Sequence, residues 1–337
     1  MKILVRLLPY CTCLIMSLIS ASCQSDAEST TTPTAVIRKK LVLEGIPSAS
    51  GIERVGDQYY VIGDDSPYLF TLDKNFKVVN KVQLFEASSV VEGRIPKPVK
   101  PDLEAITLVT LEGGQPCLLI VGSGATQPRN TGFLVPVTRS GLGKPITIDL
   151  TPLYDQLRAN KAVTGQAALN IEGLAADEEY LYLLQRYAPG GQNVLITYNM
   201  ESITPYLLGQ EKAPKPSEVK NWALPDISQI KTGFSGMTTA LGGRMLFTAS
   251  AEETPNAVLD GEIYGSLVGL LQAHPHDTEG PAKPQVAVPI TEQDGTLYKS
   301  KIESICISGQ DRSDLTAVCV ADNDNGFSEL VVVKFSW

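Results

Sequence analysis

Four glutamates and one serine recur in the same short phrase, and their spacing gives them the means to act together. The phrase is an apolar residue, a carboxylate, a small residue and then a β-rich run. It reads NIEGLAAD at residues 170–177, SGIERV around Glu53, DLEAIT around Glu104 and KIESIC around Glu303. A fifth copy, GFSGMT, carries Ser235 in place of the acid. Successive positions lie 51, 68, 63 and 68 residues apart. Brought to equivalent heights around one axis, four carboxylates about 5 Å apart would repel by roughly 3 kcal/mol per pair at an effective dielectric near 20. Such a ring must take up protons, accept donors or hold a cation. Oxygen ligands with no sulfur or imidazole favour calcium, which takes six to eight of them in loose geometry. The bland alternative is that each glutamate caps backbone N–H groups of its neighbour.

Other chemistries have less support. The only histidines are His274 and His276, in QAHPHD, with nothing nearby to complete a zinc set. A Ser-His-Asp triad is therefore disfavoured, and no G-x-S-x-G elbow occurs. Cys117, Cys306 and Cys319 lie in apolar runs and read as buried thiols. Cys306 and Cys319 fall on neighbouring strands, where pairing is conceivable but geometrically awkward.

Repetition at this scale belongs to arrays of similar sheets, and a four-stranded propeller blade needs about 40–50 residues plus its loops. Short β-rich runs divided by turn residues follow every phrase. The first set is 51–55, 59–65, 68–73 and 76–84; the second is 103–111, 117–122, 132–138 and 146–150. The third is 171–176, 180–185, 193–198 and 221–225; the fourth is 234–239, 244–249, 265–271 and 285–290. The fifth has only 302–308, 315–321 and 329–336, and the unused strand 36–43 fits the vacancy. The expected fold is all-β: a five-bladed β-propeller of four-stranded antiparallel blades, closed by the N-terminal strand so that no edge is left open. Six blades are the alternative, with the sixth hidden in the long connections 86–101, 151–170 and 201–220. The middle connection contains a helical pattern at 153–159.

The N-terminus reads as an export signal. Lys2 and Arg6 precede a mostly apolar stretch, and ISASC at 19–23 matches a bacterial lipobox with Cys23 as the lipidated residue. An ordinary cleaved signal peptide is the other reading. Residues 1–22 are then the signal, 23–34 a flexible Ser/Thr/Ala tether and 35–337 one propeller domain. Losing Lys2 and Arg6 without losing an acid moves the formal net charge from −9 to −11. That argues against nucleic-acid partners and suits cation binding outside the cytoplasm. The expected location is the bacterial cell envelope, as an outer-membrane lipoprotein facing the periplasm or the surface.

The order Glu53, Glu104, Glu172, Ser235, Glu303 resembles the calcium-activated nucleotidases, the apyrase family of five-bladed propellers. VIGDDSPYLFTLD resembles their paired-aspartate turn, and GFSGMTTALGGRMLFTASAEE their stretch containing the serine ligand. The resemblance implies a central calcium on Glu53, Glu104, Glu172, Ser235 and Glu303, with Asp64 or Asp65 positioning water and Arg186 and Arg129 holding phosphate. Where that family follows its aspartates with arginine, this chain has Ser66; where it has adjacent arginines, this chain has Gln185 and Arg186. The sequence also resembles, more loosely, bacterial extracellular phytase-like propellers with repeated I-E-G motifs. Two functional classes follow. One is a calcium-dependent hydrolase of phosphoesters or phosphoanhydrides; the other is a non-catalytic module binding a glycan or surface partner, with calcium as a structural pin.

Overall fold

Alternating apolar and polar positions broken by Gly-Asp, Lys-Asn and Gly-Gly turns give this chain short antiparallel meanders. A computed structural model describes residues 32–337 apart from 88–89, 92, 255–260, 275–279, 312 and 323–326. The signal, Cys23 and most of the tether lie outside the described residues, as does His276.

The first strand, β1 (Thr34–Leu43), begins at the last residue assigned to the tether. One sheet follows in chain order as β2 (Ala49–Val55), β3 (Gln58–Gly63), β4 (Tyr68–Leu72) and β5 (Val78–Gln83). The next contains β6 (Leu103–Thr110), β7 (Pro116–Gly122), β8 (Thr131–Thr138), the two-residue β9 (Gly141–Leu142) and β10 (Ile146–Asp149). Helices α1 (Thr151–Ala159) and α2 (Lys161–Thr164) lead to β11 (Ile171–Ala176), β12 (Tyr180–Gln185) and β13 (Asn193–Asn199). After α3 (Met200–Leu207), β14 (Glu218–Trp222) completes that sheet. The last strands are β15 (Thr232–Ala240), β16 (Arg244–Glu253), β17 (Glu262–Gln272), β18 (Val286–Thr291), β19 (Lys301–Gln310), β20 (Asp314–Asp322) and β21 (Ser328–Ser336).

β15–β18 and β19–β21 join through β1 into one eight-stranded sheet. There β1 pairs antiparallel with β21 from Thr34↔Ser336 to Leu43↔Ser328 and meets β18 in parallel at Ala35↔Ile290 and Val36↔Thr291. The vacancy left by the last meander is filled from the other end of the chain. The first strands pack side by side in a closed cycle, β2 on β6, β6 on β11, β11 on β15, β15 on β19 and β19 on β2. Apolar clusters fill the spaces between successive sheets: Ile62 and Leu69 against Ile106 and Phe133, then Leu119 and Leu134 against Leu174 and Leu183. The series closes where Ile52 and Val61 meet Val318 and Leu330. The fold is all-β and β-propeller-like.

Two expected elements move. The outer strand assigned to 221–225 is β14, a few residues earlier, and the connection 201–220 contains the unexpected helix α3. Cys306 and Cys319 cannot pair. Cys319 lies opposite Ile305, so the adjacent Cys306 points to the other face of the sheet, and the two thiols sit in different apolar clusters. Both are free and buried, as is Cys117.

Candidate functional site

Every first strand carries a β-bulge at the same place, and the bulge decides which side chains turn toward the axis. Pairing steps from Ala49↔Gly63 to Gly51↔Ile62, leaving Ser50 unpaired. The same skip leaves out Glu104, Glu172, Ser235 and Glu303 in β6, β11, β15 and β19. A bulged residue is released from the ladder and its side chain re-aimed. The residue after each bulge is small because the first strands crowd together. A Cβ on Gly236 would lie 2.7 Å from Ser304 Cα, and one on Gly51 2.7 Å from Ile62 Cγ1.

This register corrects the expectation for Glu53. The equivalent of Glu104 in the first sheet is Ser50, whose hydroxyl donates to the Leu103 carbonyl at 2.5 Å. Glu53 stands three residues further on. Its Oε1 accepts from Arg54 N at 2.7 Å and its Oε2 from Leu108 N at 3.3 Å. It behaves as the capping glutamate of the bland alternative, and burial raises its pKa to about 7 against those donors. Ser235 is fully buried at its bulge, its hydroxyl donating to Thr248 Oγ1 at 3.2 Å and accepting from Ser250 at 3.4 Å.

Glu104, Glu172 and Glu303 do converge. Burial first, and then the charges of Asp102, Glu172, Asp64 and Glu303, hold Glu104 well above the usual carboxylate range. Burial likewise carries Glu303 to about 8, with Lys301 pulling it down and Glu172 pushing it up. Glu172 accepts from Asn170 Nδ2 at 2.6 Å.

A second tier surrounds the glutamates, two residues before each bulge. Ser48, Asp102, Asn170, Gly233 and Lys301 hold those positions, and Ser48 and Asp102 adopt left-handed backbone (φ 46° and 53°) that non-glycine residues rarely take. Asp102 Oδ1 lies 2.8 Å from Lys100 Nζ, while its Oδ2 accepts from Arg129 Nη1 at 2.6 Å and Ser123 Oγ at 2.5 Å. Lys100 also pairs with Asp64. Burial alone would lower the pKa of the Lys100 ammonium, yet Asp64 and Asp102 raise it. Arg94 pairs with Asp65 and donates from Nη2 to Ser48 Oγ at 2.6 Å. Across the axis, Lys301 lies 2.9 Å from Glu303 and 3.8 Å from Glu252, and Arg186 lies 3.0 Å from Glu252.

The two aspartates expected to act in catalysis therefore stand at the site, each already on a cation. They line a cleft of about 470 Å³ together with Arg94, Lys97, Lys100 and Asp322. The two arginines expected to hold phosphate do not share that cleft. Arg129 is buried against Asp102, and Arg186 lines a separate cleft of about 240 Å³ beside Glu252. Sequence reasoning missed Arg94, Lys100 and Asp102. Arg94 and Lys100 belong to the long connection 86–101, which has no periodicity to mark them. His274, by contrast, stands apart from the axial site, with Nδ1 3.0 Å from Glu218 and Nε2 3.4 Å from the Tyr182 hydroxyl.

Among the described residues, eight carboxylates (Asp64, Asp65, Asp102, Glu104, Glu172, Glu252, Glu303, Asp322) and six cationic side chains (Arg94, Lys97, Lys100, Arg129, Arg186, Lys301) stand in or beside this assembly. The excess of two negative charges can be met by two protons or by one divalent cation. Asp64, Asp102 and Glu104 each offer an oxygen, all within 4.8 Å of one another. Asp64 Oδ1, Asp65 Oδ1 and Glu303 Oε2 are buried without a hydrogen-bond donor. Unpartnered buried carboxylate oxygens are costly unless protonated or ligating. Three hard oxygens are part of the six to eight that a calcium ion takes, and Lys100 stands on two of the three carboxylates.

A family model described as a family of unknown function (DUF6929) matches residues 45–335. No curated protein matches the sequence. Among solved structures, the glutaminyl cyclase of Myxococcus xanthus superposes with a TM-score of 0.49 at 10% identity, over 90% of this chain and 97% of its own. An α-L-arabinanase of Cellvibrio cellulosa, solved with arabinohexaose, gives 0.44 at 14% identity, over 89% and 93%. A luciferin-regenerating enzyme gives 0.43 at 12%, over 91% and 96%. Likenesses of this degree carry no activity to this chain.

Proposed function

For this chain, which belongs to the family of unknown function DUF6929, we propose a five-bladed β-propeller that holds a calcium ion in its axial acidic funnel and admits an anionic small molecule to the cleft beside it. The observation that carries the reading is the group Asp64, Asp102 and Glu104, three oxygens within 4.8 Å in an assembly two negative charges in excess. Glu172 and Glu303 complete the acidic wall, and Ser50 rather than Glu53 takes the first-sheet position of the repeat, as Ser235 takes that of β15. The count of five rests on the cyclic packing of β2, β6, β11, β15 and β19, with the eight-stranded sheet read as two blades stapled where β1 runs beside β18.

Arg94 supports the anionic ligand. Its side chain is 45% exposed at the cleft wall, and Asp65 and Ser48 fix its guanidinium plane. A guanidinium held in this way presents its remaining donors to a carboxylate or phosphate at little entropic cost. Arg94 takes the part the resemblance assigned to Arg129 and Arg186.

Binding without turnover is the primary reading. A second, hydrolysis of a phosphoester or phosphoanhydride, is favoured by Asp64 and Asp65 lining the same cleft as Arg94, Lys97 and Lys100. Calcium would supply charge on a phosphoryl oxygen there. Of this chain's residues, Arg94 would orient the phosphate and Asp65, which is outside the three ligand carboxylates, would hold the proton of an attacking water.

One calcium titration tests both readings. Calcium should raise the melting temperature and a chelator lower it, since a ligand bound only by the folded state adds about 2.7 kcal/mol at a hundredfold excess over Kd. Glu104→Gln should blunt the response and Glu178→Gln should not. Phosphate released from a nucleoside diphosphate in the same titration marks turnover. Melting indifferent to calcium in the wild type, with no metal copurifying, would remove the cation from the reading.

We also place the domain outside the cytoplasm on a lipid at Cys23, a proposal that rests on the sequence of residues 19–23. Metabolic fatty-acid labelling should mark the wild type and spare Cys23→Ala; equal labelling of the two ends the proposal.

A further inference from the structure

We infer that Lys100 is the resident counter-ion of the axial site and sets how readily a divalent cation enters it. The inference rests on the cation reading above and concerns a residue that reading leaves unused. The Lys100 ammonium contacts Asp64 and lies 2.8 Å from Asp102 Oδ1, so it holds two of the three carboxylates whose oxygens stand within 4.8 Å. Calcium–oxygen distances are about 2.3–2.6 Å. Arg129 and Ser123 already hold Asp102 Oδ2, so a calcium ion reaching Asp102 would need Oδ1, the oxygen that Lys100 occupies. Entry of the ion therefore means departure of the ammonium.

The surroundings allow that exchange. The Lys100 side chain is 11% exposed and lines the cleft of about 470 Å³, into which its four-carbon stem can swing. Asp102 does not have the same freedom, because Arg129 and Ser123 hold its other oxygen. The acids stay in place and the lysine yields. Lys301 supplies the comparison, since its ammonium serves Glu303 and Glu252 and contacts none of the three ligand carboxylates.

Two consequences follow from charge. Lys100 brings the three carboxylates one positive charge where a divalent ion would bring two, so the protein folds without metal and binds it against a tethered competitor. Without Lys100 only Arg129, on the other oxygen of Asp102, offsets the three carboxylates, and the fold comes to depend on the ion.

The test compares the mature chain with Lys100→Met and Lys301→Met, titrating calcium chloride by calorimetry and by thermal melting. Lys100→Met should bind calcium at least about tenfold more tightly, a gain of ~1.4 kcal/mol, and should lose stability in chelator more than the wild type does. Lys301→Met should move the calcium midpoint by less than Lys100→Met does, because its ammonium contacts Glu303 and Glu252 and none of the three ligand carboxylates. Equal midpoints for the wild type and Lys100→Met would overturn the role of Lys100 while leaving the site. No calcium response in either protein would overturn both. A measurement on the unmutated protein guards against a variant that fails to fold. Reductive methylation of Lys100, read by peptide mass spectrometry, should increase when calcium is added while that of Lys301 does not. Methylation of Lys100 indifferent to a bound calcium ion contradicts the exchange.

Discussion

A chain that starts at Glu44 should lose cooperative melting under conditions where the full mature chain stays folded. β1 is not a decoration on the last sheet. It pairs with β21 along its whole length, from Thr34↔Ser336 to Leu43↔Ser328, and touches β18 as well. Ile37 belongs to the apolar cluster behind β20 and β21, and Leu43 to the one shared with β2 and β3. Each such side chain contributes about 1.5–3 kcal/mol when fully buried. Each ladder hydrogen bond adds about 1 kcal/mol net. Against a whole-domain stability of about 5–15 kcal/mol, the loss is of the same size as the fold. Removing β1 also opens the edge of β21, where Leu330, Val331, Val333 and Phe335 are fully buried, and an open apolar edge invites aggregation. Circular dichroism melting of the two chains decides the matter. A chain from Glu44 that melts like the full one would mean that the ring closes without β1.

The meanders were legible because their information is local. Alternation and turn residues place a strand from within its own ten residues, and the vacancy at the last sheet could be counted. Helix α3 was not legible, since proline-rich flanks and Pro205 within the helix conceal it. The misassignment of Glu53 has a sharper cause. A bulge shifts which residue faces the axis, and it is a property of two paired strands, not of one. A cue existed all the same: each bulged residue is followed by a small residue and then an apolar one, as in SGI, EAI, EGL, SGM and ESI. Reading that triplet instead of the glutamate itself selects Ser50. Lys100 and Arg94 had no comparable cue. They reach the axis through the path of an irregular connection, and what makes them functional candidates is the carboxylates they meet.

Stability should fall as pH rises from about 5 to about 8, the reverse of the usual behaviour of a salt-bridged acid. Burial is the leading cause in each case: it lifts Asp64 from 3.8 to about 6, Glu53 from 4.5 to about 7 and Glu303 from 4.5 to about 8. Between its ordinary value and its raised one, each carboxyl keeps a proton in the folded chain that it gives up when unfolded. The folded state binds more protons there, so raising the pH favours unfolding. Below about pH 4 both states are protonated at these groups and the effect is absent; above about pH 8 it is complete. One pKa step corresponds to about 1.4 kcal/mol, and because Asp64 and Glu303 share their shifts with neighbouring charges the three effects do not simply add. Glu53 gives the cleanest test because it stands off the axis and touches none of the proposed cation ligands. Glu53→Gln should flatten the part of the slope between about pH 4.5 and pH 7. It should also lower stability by a pH-independent amount, since the amide offers one acceptor where Arg54 N and Leu108 N now use two. Denaturant melts across that range measure both. A wild type that gains stability from pH 5 to pH 8 in chelator, or a Glu53→Gln protein with the wild-type slope, would show that these carboxyls ionise freely in the folded chain.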